Sequence, residues 1–367
     1  MAENKEHIRL DVLFNQMTEL DASDLHLKAG NPPLYRVRSV LHRAKSEPLS
    51  AEQVESLVGE LLGTDKMAEL YERGSVDLGR DVKDGRVRIN VFLQKGHVSL
   101  AARMLESRIP SLEELHLPES LERIVDMKQG LVLVCGITGS GKSTTLACLL
   151  QMINETYRYH ILTIEDPIEY LHDDAKGIVN QREIGLDCTD WADALRAGVR
   201  EDPDVILVGE MRDQETFQAG LIAAETGHLV FGTLHTSSAA GTVGRILDLF
   251  PTERHALIRQ SLAFNLNSII CQKLIPSFRE DIDVVPAVEL MFMNASIQKA
   301  IEDGEDSRIT DLISVGTQEG MKTWTDSFVE LIKNGYVEKK VAVQYAPNKD
   351  QLEMALRGIG VSKPSIG

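Results

Sequence analysis

The sequence predicts an α/β protein in two parts: a small α+β domain, then a larger P-loop nucleotide-binding domain with a mainly helical C-terminal region. Three observations carry that prediction. Residues 136–143 (GITGSGKS) fit G-x-x-x-x-G-K-[ST] at every fixed position, with an apolar run before them and helical spacing after them. Residues 131–135, 161–164, 205–208 and 229–232 are short, unbroken apolar runs, as expected of parallel strands covered on both faces. Before residue 105, by contrast, apolar and polar residues alternate, as in a sheet with one face in water. The expected boundaries are 1–108 for the first domain, 109–118 for a proline-bounded linker, 119–275 for the nucleotide domain and 276–367 for the C-terminal region, whose last residues, 361–367, read as a loose tail.

Composition narrows the class. A chain of 367 residues suits two to three domains, and 43% apolar with 26% charged residues is ordinary for a globular protein. The net charge of −17 argues against a broad nucleic-acid surface, so no nucleic-acid partner is expected. Cys135, Cys148, Cys188 and Cys271 are scattered without a C-x-x-C pair, which indicates neither a zinc site nor a disulfide framework. The N-terminus lacks the apolar run of a secretory signal, and no window offers about 18 uninterrupted apolar residues. The chain reads as cytosolic, with membrane association only through a partner and no direct insertion.

In the first domain, residues 8–17 form an amphipathic helix candidate and residues 24–28 alternate like a strand. Asn31, Pro32 and Pro33 break the chain before a second strand at 34–41. Ser50 and Gln53 make a capping-box pattern ahead of Val54, Leu57, Val58, Leu61 and Leu62, which share one helical face. Asp84 and Gly85 signal a tight turn before a strand at 86–92, with another at 97–105. Period-two alternation turns Val87, Ile89 and Val91 inward and Arg86, Arg88 and Asn90 outward, and Arg103 outward on the next strand. Such arginines ordinarily just solvate a sheet face. With a nucleotide site downstream, Arg88 and Arg103 become candidates for a cation supplied to a neighbouring subunit.

In the second domain the loop supplies the binding set: Gly136, Thr138, Gly139, Ser140, Gly141, Lys142, Ser143 and Thr144. Its glycines let backbone N–H groups curl around phosphate oxygens, Lys142 reaches the β- and γ-phosphates of ATP, and the Ser143 hydroxyl binds Mg²⁺. Leu146, Leu149, Leu150 and Ile153 give the following helix its apolar stripe. Glu165, Asp166 and Glu169 follow the strand at 161–164, where ligands bind in open α/β sheets, so Glu165 and Asp166 are candidates for metal or water. After the strand at 205–208, Gly209 stands where many P-loop enzymes place a metal-binding Asp, and Glu210 follows it. Glu210 is therefore read as the residue that orients or deprotonates the attacking water. His228 precedes the strand at 229–232 and His235 lies just after it, and both are candidates for sensing the γ-phosphate. Beyond Pro251 the pattern turns helical, at 255–270, 295–301, 308–315 and 323–334.

Together GITGSGKST (136–144), ILTIEDPIEY (161–170), VNQRE (179–183), ALRAGVREDPDVILVGEMRD (194–213) and AAETGHLVFGTLHT (223–236) resemble the pilus-retraction, or twitching-motility, ATPases of the PilT/PilU type within the secretion-ATPase superfamily. ASDLHL (22–27) and RVRIN (86–90) extend the likeness into the first domain. The resemblance implies a PAS-like N-terminal domain, a RecA-like ATPase core and a homohexamer with ATP sites between subunits. It also implies a cytoplasmic position at the inner membrane, at the pilus base, facing a platform protein. By position, Lys142 and Ser143 become the Walker A residues, Glu165 part of the Asp box, Glu210 the catalytic glutamate of an atypical Walker B, and His228 and His235 the His box. Arg88 and Arg103 take the places of the family's N-terminal arginines. The family's A-I-R-N-L retraction motif corresponds to residues 295–301, where Gln298 and Lys299 replace Arg and Asn. That departure leaves a second expectation, an accessory PilU-like subunit or nucleotide-dependent scaffold that works with an active paralogous ATPase. Pilus-extension and type II secretion ATPases are the poorer fit, because their extra N-terminal domains and tetracysteine zinc element have no counterpart here.

Overall fold

A computed structural model describes residues 9–83, 85–105 and 108–358. The chain divides into two compact units, one running up to Arg108 and including Ile168–Leu171, the other formed by Ile109–Pro167 and the chain from His172 onward.

The first unit contains, in order, α1 (Leu10–Glu19), β1 (Ala22–Lys28), β2 (Leu34–Val37), β3 (Val40–Arg43), α2 (Ala51–Arg73), β4 (Ser75–Val82), β5 (Gly85–Gln94) and β6 (His97–Met104). Its strands pair antiparallel in the order β3-β2-β1-β6-β5-β4. Alternation decides what is inside. Val87, Ile89 and Val91 of β5 and Leu100 and Ala102 of β6 are buried in one core with Phe14 and Met17 of α1 and Val54, Val58 and Leu70 of α2. The capping box forms as the sequence suggests: the Gln53 N–H donates to Ser50 Oγ (3.2 Å) and the Ser50 N–H to Gln53 Oε1 (2.8 Å). α2 runs well past Leu62 and bends at Gly63, whose φ of 67° breaks the helical path. Ile8 and the turn residue Asp84 lie outside the described residues.

The second unit continues with α3 (Glu122–Val125), β7 (Gly130–Cys135), α4 (Lys142–Thr156), β8 (His160–Glu165), β9 (Ile178–Glu183), α5 (Trp191–Gly198), β10 (Val205–Val208), α6 (Gln214–Glu225), β11 (Leu229–Leu234), α7 (Ala239–Leu247), α8 (His255–Asn265), β12 (Leu266–Pro276) and β13 (Val284–Phe292). The chain then closes with α9 (Ala295–Asp303), α10 (Ile309–Val315), α11 (Trp324–Lys333), α12 (Lys339–Tyr345) and α13 (Lys349–Leu356). The sheet order is β13-β12-β7-β11-β10-β8-β9, with every pair parallel except β12 with β13. All residues of β7, β10 and β11 are buried, which is why their sequences read as unbroken apolar runs.

Four readings need correction. The single strand expected at 34–41 is a hairpin, β2 paired antiparallel with β3, turning at Arg38 and Ser39, whose φ values are 46° and 67°. The helical pattern at 255–270 ends at Asn265, and the chain enters the sheet as β12. The region from 276 onward begins with a strand, β13, so the C-terminal helices are attached to the nucleotide sheet by a hairpin. Residues 109–118 belong to the second unit, where Leu112 and Leu117 are buried, rather than forming a free connector. There the Glu114 N–H donates to Ser111 Oγ (3.2 Å) and the Ser111 N–H to Glu114 Oε2 (2.9 Å), closing a turn. The expected tail at 361–367 lies outside the described residues. No helix among the described residues is long and apolar enough to cross a membrane.

Candidate active site

The carboxyl edge of the parallel sheet gathers most of the expected chemistry. β7 leaves the sheet at Cys135, and the Gly136 N–H still reaches Leu234 O of β11 at 3.2 Å. Beyond it, positive φ values at Gly136 (151°), Gly139 (76°) and Gly141 (86°) turn the loop back over its own strand and into α4, which starts at Lys142. The glycines are obligatory at two of these positions. A Cβ on Gly136 would lie 2.4 Å from Ser140 Oγ, and one on Gly141 2.7 Å from Gln272 Nε2. Around Gly139 nothing comes within 4 Å, so the loop keeps an open side. Lys142 Nζ donates to Gly136 O (2.9 Å) and Ile137 O (3.1 Å), which holds the ammonium against the loop. Ser140 is buried and its Oγ finds no partner among the described residues. A glycine cradle opening a helix, a cation over it and an orphaned hydroxyl within it suit a phosphate chain.

The carboxylates arrive by register. Ile164 of β8 pairs with Val208 of β10, so Glu165, the last residue of β8 and paired with Glu183 of β9, comes level with Gly209, whose N–H bonds Ile164 O at 2.8 Å. Glu165 Oε1 accepts from Thr163 Oγ1 (2.6 Å) and Gln181 Nε2 (3.1 Å). Thr233 Oγ1 on β11 donates to Gly209 O at 2.5 Å, fixing the turn that carries Glu210. The Glu210 side chain is 18% exposed, and its Oε1 meets Arg212 Nε at 2.5 Å and His235 Nε2 at 3.1 Å. Burial pushes the Glu210 carboxyl up, but Arg212 and His235 outweigh it and hold the group below the usual glutamate value. The bond to Glu210, with a smaller effect of Asp166, raises Arg212 in turn. Glu210 is thus a carboxylate at neutral pH.

His228 is not part of this group. It precedes Leu229, which pairs with Gly130 at the start of β7, and so it sits at the amino edge of the sheet. The six residues of β11 separate it from His235 by about 20 Å, and its Nδ1 lies 2.9 Å from Ala223 O. Arg88 and Arg103 lie on the sheet of the first unit, in one rung that runs Arg36, Asp24, Arg103, Arg88. Arg103 Nε donates to Asp24 Oδ1 (2.9 Å), Arg36 Nε lies 3.4 Å from Asp24 Oδ2, and Arg88 Nη2 stands 3.9 Å from Asp77 Oδ1. Burial pushes the Asp24 carboxyl up, while Ser23 and Arg103 pull it below its ordinary value. Sequence reasoning missed Arg212, two residues from Glu210 and in plain view, and Gln272, which no motif marks.

Comparison with known proteins agrees with this geometry. The family model for the Type II/IV secretion system protein matches residues 8–318. The chain is 42% identical over 326 residues to the Type IV pilus retractation ATPase PilT of Pseudomonas aeruginosa, covering 89% of this chain and 94% of that protein. It is 33% identical over 351 residues to the Type IV pilus ATPase PilU of the same organism, covering 95% and 92%. The crystal structure of the pilus retraction motor PilT with bound ADP superposes with a TM-score of 0.87 at 41% identity, over 94% of this chain and 99% of that one. Likeness of this length and depth places the chain in the Type II/IV secretion system protein family, as an ATPase of the pilus-retraction type.

Proposed function

We propose that this chain is a motor ATPase that couples ATP hydrolysis to type IV pilus retraction, working as a homohexamer at the cytoplasmic face of the inner membrane against a platform protein. The observation that carries the reading is the convergence of the phosphate loop, Glu165, Glu210 and His235 on one sheet edge. In this reading the loop N–H groups and Lys142 hold the β- and γ-phosphates. Ser143 and Glu165 would hold Mg²⁺, which when bound spreads the phosphate charge. Glu210 aims water and accepts its proton, and His235 keeps the carboxylate oriented. Arg88 and Arg103 are the cations offered to a neighbouring subunit's site. His228 has no part in the chemistry at its own chain's loop.

Steady-state ATP turnover of the purified chain and of Glu210→Gln, with light scattering for mass, tests this. The expected result is a turnover loss of about 10²- to 10³-fold with a hexamer mass in both proteins. Equal, near-background rates would sink the self-sufficient motor. They would support a second reading, an accessory subunit needing an active paralogue, which one observation favours. On α9, Gln298 and Lys299 stand where the resemblance expects Arg and Asn, and they face Glu302 and Asp303 of their own helix at 3.4 Å and 2.8 Å.

A further inference from the structure

We propose that Gln272 is a positioning residue for the nucleotide site, holding the phosphate loop in the curve that receives phosphate. The inference rests on the nucleotide-binding reading above. β12 runs parallel to β7 with Cys271 opposite Cys135, so Gln272 comes level with Gly136 where the chain leaves the sheet. Its side chain is buried, and its Oε1 accepts from the buried Thr145 Oγ1 in the first turn of α4 at 2.8 Å. With Oε1 taken by Thr145, the amide Nε2 is turned toward Gly141, where a Cβ would come within 2.7 Å of it. The main-chain oxygen of Gln272 lies 2.6 Å from the Cβ position of Gly136. One residue therefore fills the space that the first and last glycines of the loop leave open, and it ties the start of α4 to the neighbouring strand.

Gln272 acts through the loop. A glycine-rich loop without this support has many conformations of similar energy, and only the curled one points its N–H groups at phosphate. Apparent affinity then falls in proportion to the competent fraction, while turnover from the bound state persists. The expected signature is a change in binding with little change in kcat.

The test uses the full chain, fluorescently labelled ADP with Mg²⁺, and steady-state ATP kinetics. Gln272→Met keeps the volume and removes the hydrogen bond to Thr145. It should raise Kd about tenfold while kcat at saturating ATP stays within about threefold. Ser268→Ala, buried four residues earlier on the same strand, sets the baseline for a purely structural change, with a shift in melting temperature and a native Kd. If Gln272→Met does not fold, Thr145→Val removes the same bond from the other side and should raise Kd alike, while Thr145→Ser should restore it. A native Kd in the folded variants overturns the proposal, as does a fall in kcat with KM unchanged. Failure of the unaltered chain to bind ADP overturns the nucleotide reading itself, and this proposal with it.

Discussion

The two sheets of this molecule handle burial in opposite ways. In the antiparallel sheet of the first unit β5 alternates buried with partly exposed residues, and polar rungs such as Arg36, Asp24, Arg103, Arg88 run across the sheet, with Asp24 buried beneath its arginines. In the sheet of the second unit β7, β10 and β11 are buried along their whole length, so chemistry can appear only where strands end. The phosphate loop, Glu165, Glu210 and His235 all obey that restriction, and so does His228, at the wrong end. A residue's function in the first sheet depends on which face it takes. In the second it depends on which edge it reaches.

Three substitutions sharpen the contrast, in falling order of expected effect. Leu133→Ala, at the middle of β7 and fully buried, should cost about 2–5 kcal/mol in denaturant unfolding, because neither face has solvent to relax into. A cost under about 1 kcal/mol would show that this sheet is not packed on both sides.

Next comes Glu289→Gln on β13. Glu289 is 2% exposed and its Oε1 accepts the Ala239 N–H at 2.8 Å at the start of α7. Burial pushes its carboxyl up from 4.5 to about 6, against the opposing pull of the Ala239 N–H and of Lys273. The folded state therefore keeps a proton that the unfolded chain has already released. Its contribution is complete below pH 4.5 and is lost as pH rises through about 6, by up to about 2 kcal/mol. Melting curves of the two proteins should diverge across that window, with the glutamine variant flatter. Parallel curves would remove Glu289 from the account.

The smallest effect is expected for Arg103→Gln on the outer face of the first sheet. Its side chain is 69% exposed, and Asp24 retains Arg36, so the stability loss should stay below about 1 kcal/mol. If ATP turnover nevertheless falls tenfold or more while the melting temperature holds, the rung serves the active site. If both hold, it merely solvates the sheet.

Much of this was legible in the chain itself. Fixed glycine spacing, an apolar run and a helical stripe locate β7, the loop and α4, and the runs at 161–164, 205–208 and 229–232 become β8, β10 and β11. Strands at the sheet margins were not legible. β9 alternates only loosely, and β13 carries Pro286 and Glu289, residues that argue against a strand until its edge position is known. The join of α8 to β12 was invisible because Leu262, Leu266, Ile269 and Ile270 keep a helical spacing after the backbone has straightened. In the site, the motif carrying both histidines implied nearness, yet an intervening strand sets them a strand length apart. Gln272 escaped notice because its role arises from a contact with Thr145, 127 residues away in the chain. Arg212 lies beside Glu210 in the chain, but an i,i+2 arginine in a loop looks like any solvated cation until the turn folds the two together.

The β12–β13 hairpin also has a mechanical meaning. Its ladder runs without a break from Ser268 opposite Phe292 to Pro276 opposite Val284, and α9 begins just after β13. Tension drawn lengthwise through α9 loads all those rungs together in shear, whereas prying at one end opens them singly. The joint is stiff along the strands and soft across them.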